Sequence, residues 1–182
     1  MDLHLLHSVW PDWEPQGEIG RGSFGVVYRA VRSLGNSIQT SAIKIIPIPQ
    51  DSSELDILRA EGFGEDAIRA YLSELAKEFE QEFLLMESFS DAPNIVRIED
   101  FQIVERDSEP GWDLFLRMEL LTPLYSYLSE QSLDENGIIK LGIDLCSALE
   151  CCSERDVIHR DIKPDNIFVD ADGTFKREFL KI

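Results

Sequence analysis

Gly20-Arg21-Gly22-Ser23-Phe24-Gly25 is a glycine-rich loop. Backbone without side chains can approach a phosphate closely and aim its N–H groups at the oxygens. Dinucleotide-binding folds use the same spacing when a helix follows it. Here Val26 to Val31 follow, β-branched and aromatic, so the loop joins two strands. That disfavours a nicotinamide site and leaves a plain glycine-rich hairpin as the bland alternative. Lys44, 19 residues beyond Gly25, lies in the next strand between Ala42-Ile43 and Ile45-Ile46. A lysine in such a run needs a partner if its head is buried; on an edge strand it would snorkel to water. Glu82 is the natural partner, three residues after Phe79 and four before Met86 on a helical pattern. Glu78, Glu80 and Glu87 point further from that apolar face. Taken singly, Glu82 reads as a solvated helix charge. The third feature is Ile158-His159-Arg160-Asp161-Ile162-Lys163-Pro164-Asp165-Asn166-Ile167-Phe168, a polar loop bracketed by apolar residues.

The elements that must hold these residues follow from periodicity. The pattern is strand-like from Glu18 to Ile48, with a turn at Gly35-Asn36 and an end at Pro47 and Pro49. Leu72, Leu75, Ala76, Phe79, Phe83 and Met86 recur at helical spacing within Glu65 to Phe89, and Pro93-Asn94 ends that helix. Two strands are predicted over Ile95–Val104 and Trp112–Leu121. Helices are predicted over Tyr125–Ser129 and Glu135–Glu154, the second apolar around most of its circumference and so expected to be buried on nearly all sides. A hairpin turning at Ala171-Asp172-Gly173 follows. Strands, one helix, more strands and then mostly helix describe an α+β chain with a sheet-rich lobe ahead of a helical one. No internal repeat is present.

Composition narrows the function. The 182 residues carry a net charge of −18, which repels a phosphate backbone and excludes general nucleic-acid binding. Between Asp51 and Glu109 stand 17 acids and 5 bases, so most of the excess lies in one segment, read as a solvated helix surface. Cys146, Cys151 and Cys152 have neither disulfide-framework nor zinc-ligand spacing. The first residues show no signal-peptide pattern and no stretch reaches membrane-spanning length, which gives a cytoplasmic expectation.

Taken together, Gly20-x-Gly22-x-x-Gly25-x-Val27, Ala42-Ile43-Lys44 and His159-Arg160-Asp161…Asn166 resemble, in order, the glycine loop, strand-three lysine and catalytic loop of the protein kinase family. The resemblance runs from Glu18 to Ile182. It implies a protein-kinase-like bilobal α+β fold. Residues 1–17 would be an N-terminal extension, and 18–121 an N-lobe of five antiparallel strands plus a helix. Residues 122–182 would be the linker and the beginning of the C-lobe. It further implies that backbone N–H groups between Gly20 and Gly25, with Ser23 and Phe24 at the tip, cover the phosphates of ATP. Ile19, Val27 and Ala42 would line adenine. Lys44, paired with Glu82, would hold the α- and β-phosphates. Met118 resembles the residue before the linker, where Glu119 and Leu121 would offer backbone groups to the adenine edge. Asp161 would take or orient the substrate hydroxyl proton, and Asn166 would hold one Mg²⁺. Lys163 is the residue typical of the serine/threonine branch. His159 is read as structural, and Arg160 resembles the arginine that reads a phosphorylated activation loop.

The implied activity is transfer of the γ-phosphoryl group of Mg-ATP to a protein serine or threonine, with ATP and Mg²⁺ as cofactors and a Ser/Thr-bearing protein as substrate. The sequence departs from the family at Phe179-Leu180-Lys181-Ile182, where Asp-Phe-Gly should follow and the chain stops. That gives the expectation of an N-terminal fragment whose Glu135–Glu154 helix, short of partners, makes the isolated chain aggregation-prone. The alternative is a non-catalytic kinase-like module that binds nucleotide or protein. A second departure is the long segment from Ile48 to Tyr71, read as an extra helical turn or two ahead of Glu82. The segments 112–128 and 141–152 look most like bacterial members. A nicotinamide-dependent dehydrogenase would need an acidic residue where Lys44 stands.

Overall fold

The computed structural model describes residues 4–22, 24–157 and 162–178. By internal contacts the chain forms two units, Met1–Phe83 with Glu99–Met118 and Leu84–Ile98 with Glu119–Lys181.

The first unit is built on a five-stranded sheet of order β1-β2-β3-β5-β4. Its strands are β1 (Glu14–Gly22), β2 (Gly25–Leu34), β3 (Ser37–Ile48), β4 (Ile98–Glu105) and β5 (Trp112–Glu119). β1, β2 and β3 form an antiparallel meander in which Val27 stands opposite Lys44 and Arg29 opposite Ala42. Gly35, at φ +60°, makes the turn between β2 and β3 that the sequence predicts. Side chains alternate across a strand, so Ile43 and Ile45 share one face of β3 while Ala42, Lys44 and Ile46 share the other.

The Ile43/Ile45 face carries a core that the sequence reading did not anticipate. Helix α1 (His4–Val9) and the residues after it bring Leu6, Trp10 and Trp13 onto Ala30, Ile43, Ile45 and Phe115, all buried. The Trp10 ring meets Phe115 edge-on, with centroids 6.4 Å apart, and its Nε1–H donates to Asp100 Oδ2 at 2.8 Å. Arg117 lies over both indoles, 5.5 Å from the Trp10 ring and 4.7 Å from Trp13. Its Nη1 donates to Glu99 Oε2 at 2.8 Å, and the hydroxyl of Ser41 donates to the same oxygen at 2.6 Å. A guanidinium this sheltered needs a carboxylate, and the ring faces add about 0.5–2 kcal/mol each.

The segment after β3 adds helix ahead of Glu82, in the form of a separate helix α2 (Ser52–Ala60). Asp51 caps it, accepting from the Ser53 N–H at 2.9 Å, while Glu54 accepts from the Asp51 N–H at 3.3 Å. Gly62, at φ +94°, breaks the chain before α3 (Glu65–Glu87) begins. In α3 Leu72, Ala76, Phe79, Phe83 and Met86 of the predicted stripe are buried, Leu75 is half-buried, and Ile68 extends the buried face toward the start of the helix. Phe83 packs on Phe101 of β4 with centroids 5.5 Å apart.

The second unit holds α4 (Leu124–Glu130), α5 (Glu135–Ser153) and a small sheet of β6 (Thr122–Pro123), β7 (Ile167–Val169) and β8 (Phe175–Arg177). Leu124, Ile167, Val169 and Phe175 form its core, with Tyr127, Leu133, Leu141 and Leu145 against it. The predicted hairpin is present. Asp170 Oδ1 accepts from the N–H groups of Asp172 and Thr174, and Gly173 turns at φ +77°. Residues predicted to open the fourth strand serve this unit instead. Val96 N–H donates to Arg177 O at 2.9 Å, and Arg177 N–H to Asn94 O at 3.0 Å.

Helix α5 corrects the expectation of burial on nearly all sides. Ala148 and Cys152 are buried, but Ile138, Ile139 and Ile143 are each more than half exposed. Leu141 and Leu145 turn α5 onto the core of Leu124, Ile167, Val169 and Phe175, while Ile138, Ile139 and Ile143 leave part of the apolar circumference uncovered.

Candidate functional site

In the first unit the site residues sit on the β1–β2–β3 meander and α3. The glycine loop is a tight hairpin, with Gly20 opposite Val27 and Gly22 opposite Gly25. Gly25 has a geometric reason to be glycine. Its φ is +159°, and an added Cβ would lie 2.1 Å from the backbone oxygen of Ile45. Gly20 and Gly22 differ: a Cβ at Gly20 would meet only Val27, at 3.9 Å, and one at Gly22 would meet nothing within 4 Å. Their backbone is therefore open to a group approaching from outside. Phe24, at the tip, packs edge-on against Phe79 of α3 with centroids 6.4 Å apart.

Val27 and Lys44 face each other across the β2–β3 ladder and share a face with Ala42. Ala42 is buried and Val27 half-buried. Lys44 is half-buried between buried Ile43 and Ile45, and it has an interaction partner, as a lysine in an apolar strand requires. On α3 Glu82 is half-buried, whereas Glu74, Glu78, Glu80 and Glu87 are exposed. The helical phase that singled it out is thus the phase of the structure. Ile19 is 46% exposed on β1, and Met118 is buried at the end of β5.

In the second unit Glu119 is held at several points. Its N–H donates to Arg97 O at 3.1 Å, and Oε1 accepts from the Arg97 N–H at 2.8 Å. The Lys176 ammonium donates to both carboxylate oxygens, at 3.0 and 2.8 Å. Leu121 follows, half-buried, just before β6. Exposed Lys163 precedes a 3-10 turn over Pro164–Asn166. The Asn166 N–H donates to Lys163 O at 3.1 Å, and Asn166 O accepts from the Glu178 N–H at 3.0 Å, which fixes the backbone of Asn166 where β7 starts. Ser23, His159, Arg160 and Asp161 lie outside the described residues.

Lys176 and Arg97 were missed by the sequence reading. The one available signal was alternation, because Lys176 stands between Phe175 and Arg177 in a short strand and had to face away from the core.

The sequence matches the family model described as "Protein kinase domain" over residues 13–182. The chain belongs to the protein kinase domain family. Among its relatives, CBL-interacting protein kinase 20 of Oryza sativa subsp. japonica is 30% identical over 174 residues, covering 96% of this chain and 33% of the relative. Calcium-dependent protein kinase 22 of Arabidopsis thaliana is 31% identical over 156 residues, 82% of this chain and 26% of the relative. NUAK family SNF1-like kinase 2 of Homo sapiens is 28% identical over 176 residues, 95% of this chain and 23% of the relative. This kinase domain sequence therefore spans a third or less of the relatives' length. The family match explains the five-stranded sheet with its helix and the helical unit that follows. No described helix is long and apolar enough to cross a membrane.

Proposed function

We propose that the protein is a serine/threonine protein kinase that moves the γ-phosphoryl group of ATP to a serine or threonine hydroxyl of a protein substrate. The observation that carries this reading is the placement of Lys44. It is a cation in mid-strand, directly opposite Val27 at the base of a glycine hairpin whose Gly20 and Gly22 backbone is sterically open.

The hairpin and Lys44 fit a polyphosphate. Open glycine backbone gives N–H donors without steric cost, and an ammonium on a packed strand provides a fixed charge for phosphate oxygens. Glu82, on the inward edge of α3, would orient Lys44 and balance its charge when no nucleotide is present. Val27, Ala42 and Ile19 would cover the adenine ring, and Glu119 and Leu121 would read its edge through the backbone. Asn166 offers a hard amide oxygen suited to Mg²⁺, an ion that takes few protein ligands and relies on phosphates for the rest. Bound Mg²⁺ would supply charge neutralisation at the transferring phosphoryl group. Asp161 would accept the hydroxyl proton of the substrate, and Lys163 would face the same acceptor. Cys146, Cys151 and Cys152 are all free thiols, which suits a reducing compartment such as the cytoplasm.

The test uses the full protein carrying this chain, radiolabelled ATP with Mg²⁺ and a generic protein acceptor. The parent should label serine and threonine but not tyrosine. Lys44→Met and Asp161→Asn should each cut the rate by about 10²–10³, the loss expected when a preorganised charge or a proton acceptor is removed. Transfer at the parent rate in either variant would overturn the role given to that residue.

A further inference from the structure

We infer that Lys176 is a positioning residue for nucleotide selection, acting through Glu119. The inference rests on the reading of Glu119–Leu121 as the segment whose backbone meets the adenine edge.

Two ties join this segment to the β7–β8 hairpin. At one end Lys176 donates to both oxygens of Glu119, with both side chains only 14% exposed. At the other end Thr122 pairs with Val169 in the β6–β7 ladder. Leu121 lies between these two attachments. Lys176 is itself well placed: it is opposite Phe168 in register, and its flanking residues Phe175 and Arg177 are buried. Its ammonium also lies 3.8 Å from Asp170 Oδ2, and the other oxygen of Asp170 accepts the N–H groups of the hairpin turn. One cation therefore couples the turn of the hairpin to the carboxylate of Glu119.

Surface ion pairs contribute little, but a pair this sheltered differs. Removing one partner leaves the other charge poorly solvated. Without Lys176 the Glu119 carboxylate would keep, among the described residues, the Arg97 N–H and would turn toward water, carrying its peptide with it. On the reading that this backbone meets the adenine edge, the peptide carbonyl is the group that would accept a hydrogen bond from the adenine amino group. Guanine presents an acceptor at the corresponding position and cannot donate there. A displaced carbonyl should thus weaken ATP while leaving GTP unaffected. A hydrogen bond of this kind is worth about tenfold in affinity.

The experiment measures ATP and GTP affinities by calorimetry on purified protein, alongside thermal melting. Lys176→Met should weaken ATP about tenfold and leave GTP within about twofold, so that selectivity falls about tenfold. Lys176→Arg should recover most of the selectivity. Glu119→Gln removes the same bridge from the other side. It should show the same selective loss, which keeps the test decisive if Lys176→Met fails to fold. Unchanged ATP affinity, or equal losses for ATP and GTP, would overturn the inference alone and reduce Lys176 to a structural role. A parent protein that binds neither nucleotide would overturn the nucleotide-site reading, and this inference with it.

Discussion

Gly25 separates structural from functional demands on the glycine loop. In Gly25→Ala the new Cβ would sit 2.1 Å from Ile45 O, where ordinary contact begins at 3.4 Å. β2 and β3 would have to part by roughly 1 Å beside the Val26–Ile45 pair, weakening a ladder hydrogen bond worth about 1 kcal/mol. The φ of +159° adds strain of about 1–3 kcal/mol for a residue with a Cβ. Together these come to about 3 kcal/mol, or roughly 6–12 °C in Tm for a domain of this size. Gly22→Ala is the control, because its Cβ would meet nothing within 4 Å and its φ is not in the left-handed region. Its Tm should stay within about 2 °C of the parent, while Mg-ATP affinity falls if the open backbone there approaches phosphates. Thermal melts of both variants, followed by circular dichroism, make the comparison. If Gly25→Ala melted together with Gly22→Ala, the steric argument would be refuted.

Trp13 is buried against the sheet and stacks with Arg117 and Arg32, so Trp13→Ala should destabilise the protein by about 3–5 kcal/mol and Trp13→Phe by much less. Urea unfolding checks this; a loss under about 1 kcal/mol would mean that residues 4–13 are an ornament on the sheet. Burial, with a smaller contribution from Cys151, pushes the Cys152 thiol up to about 11. At pH 8 iodoacetamide should therefore modify exposed Cys146 and spare Cys152 in the folded protein, as mapped by mass spectrometry. Because the folded-state value is raised, the stability held by the neutral Cys152 thiol is complete below the ordinary thiol range. It is lost as pH rises from there through about 11.

What the sequence determined by itself was local in origin. The period-3.6 stripe of α3 set the phase that leaves Glu82 half-buried while its acidic neighbours are exposed. A run of β-branched and apolar residues placed Lys44 in a strand, and turn chemistry placed Gly35-Asn36 and Ala171-Asp172-Gly173. These patterns are legible because each is written within a few consecutive residues. Tertiary structure alone decided the rest. Trp10 finds Asp100 across 90 positions, and Lys176 finds Glu119 across 57; such pairs depend on which strands become neighbours, and no local period encodes that. The same holds for residues 94–96, which bond to β8, and for α5, whose apolar circumference says that it could be buried but not which sides find a partner.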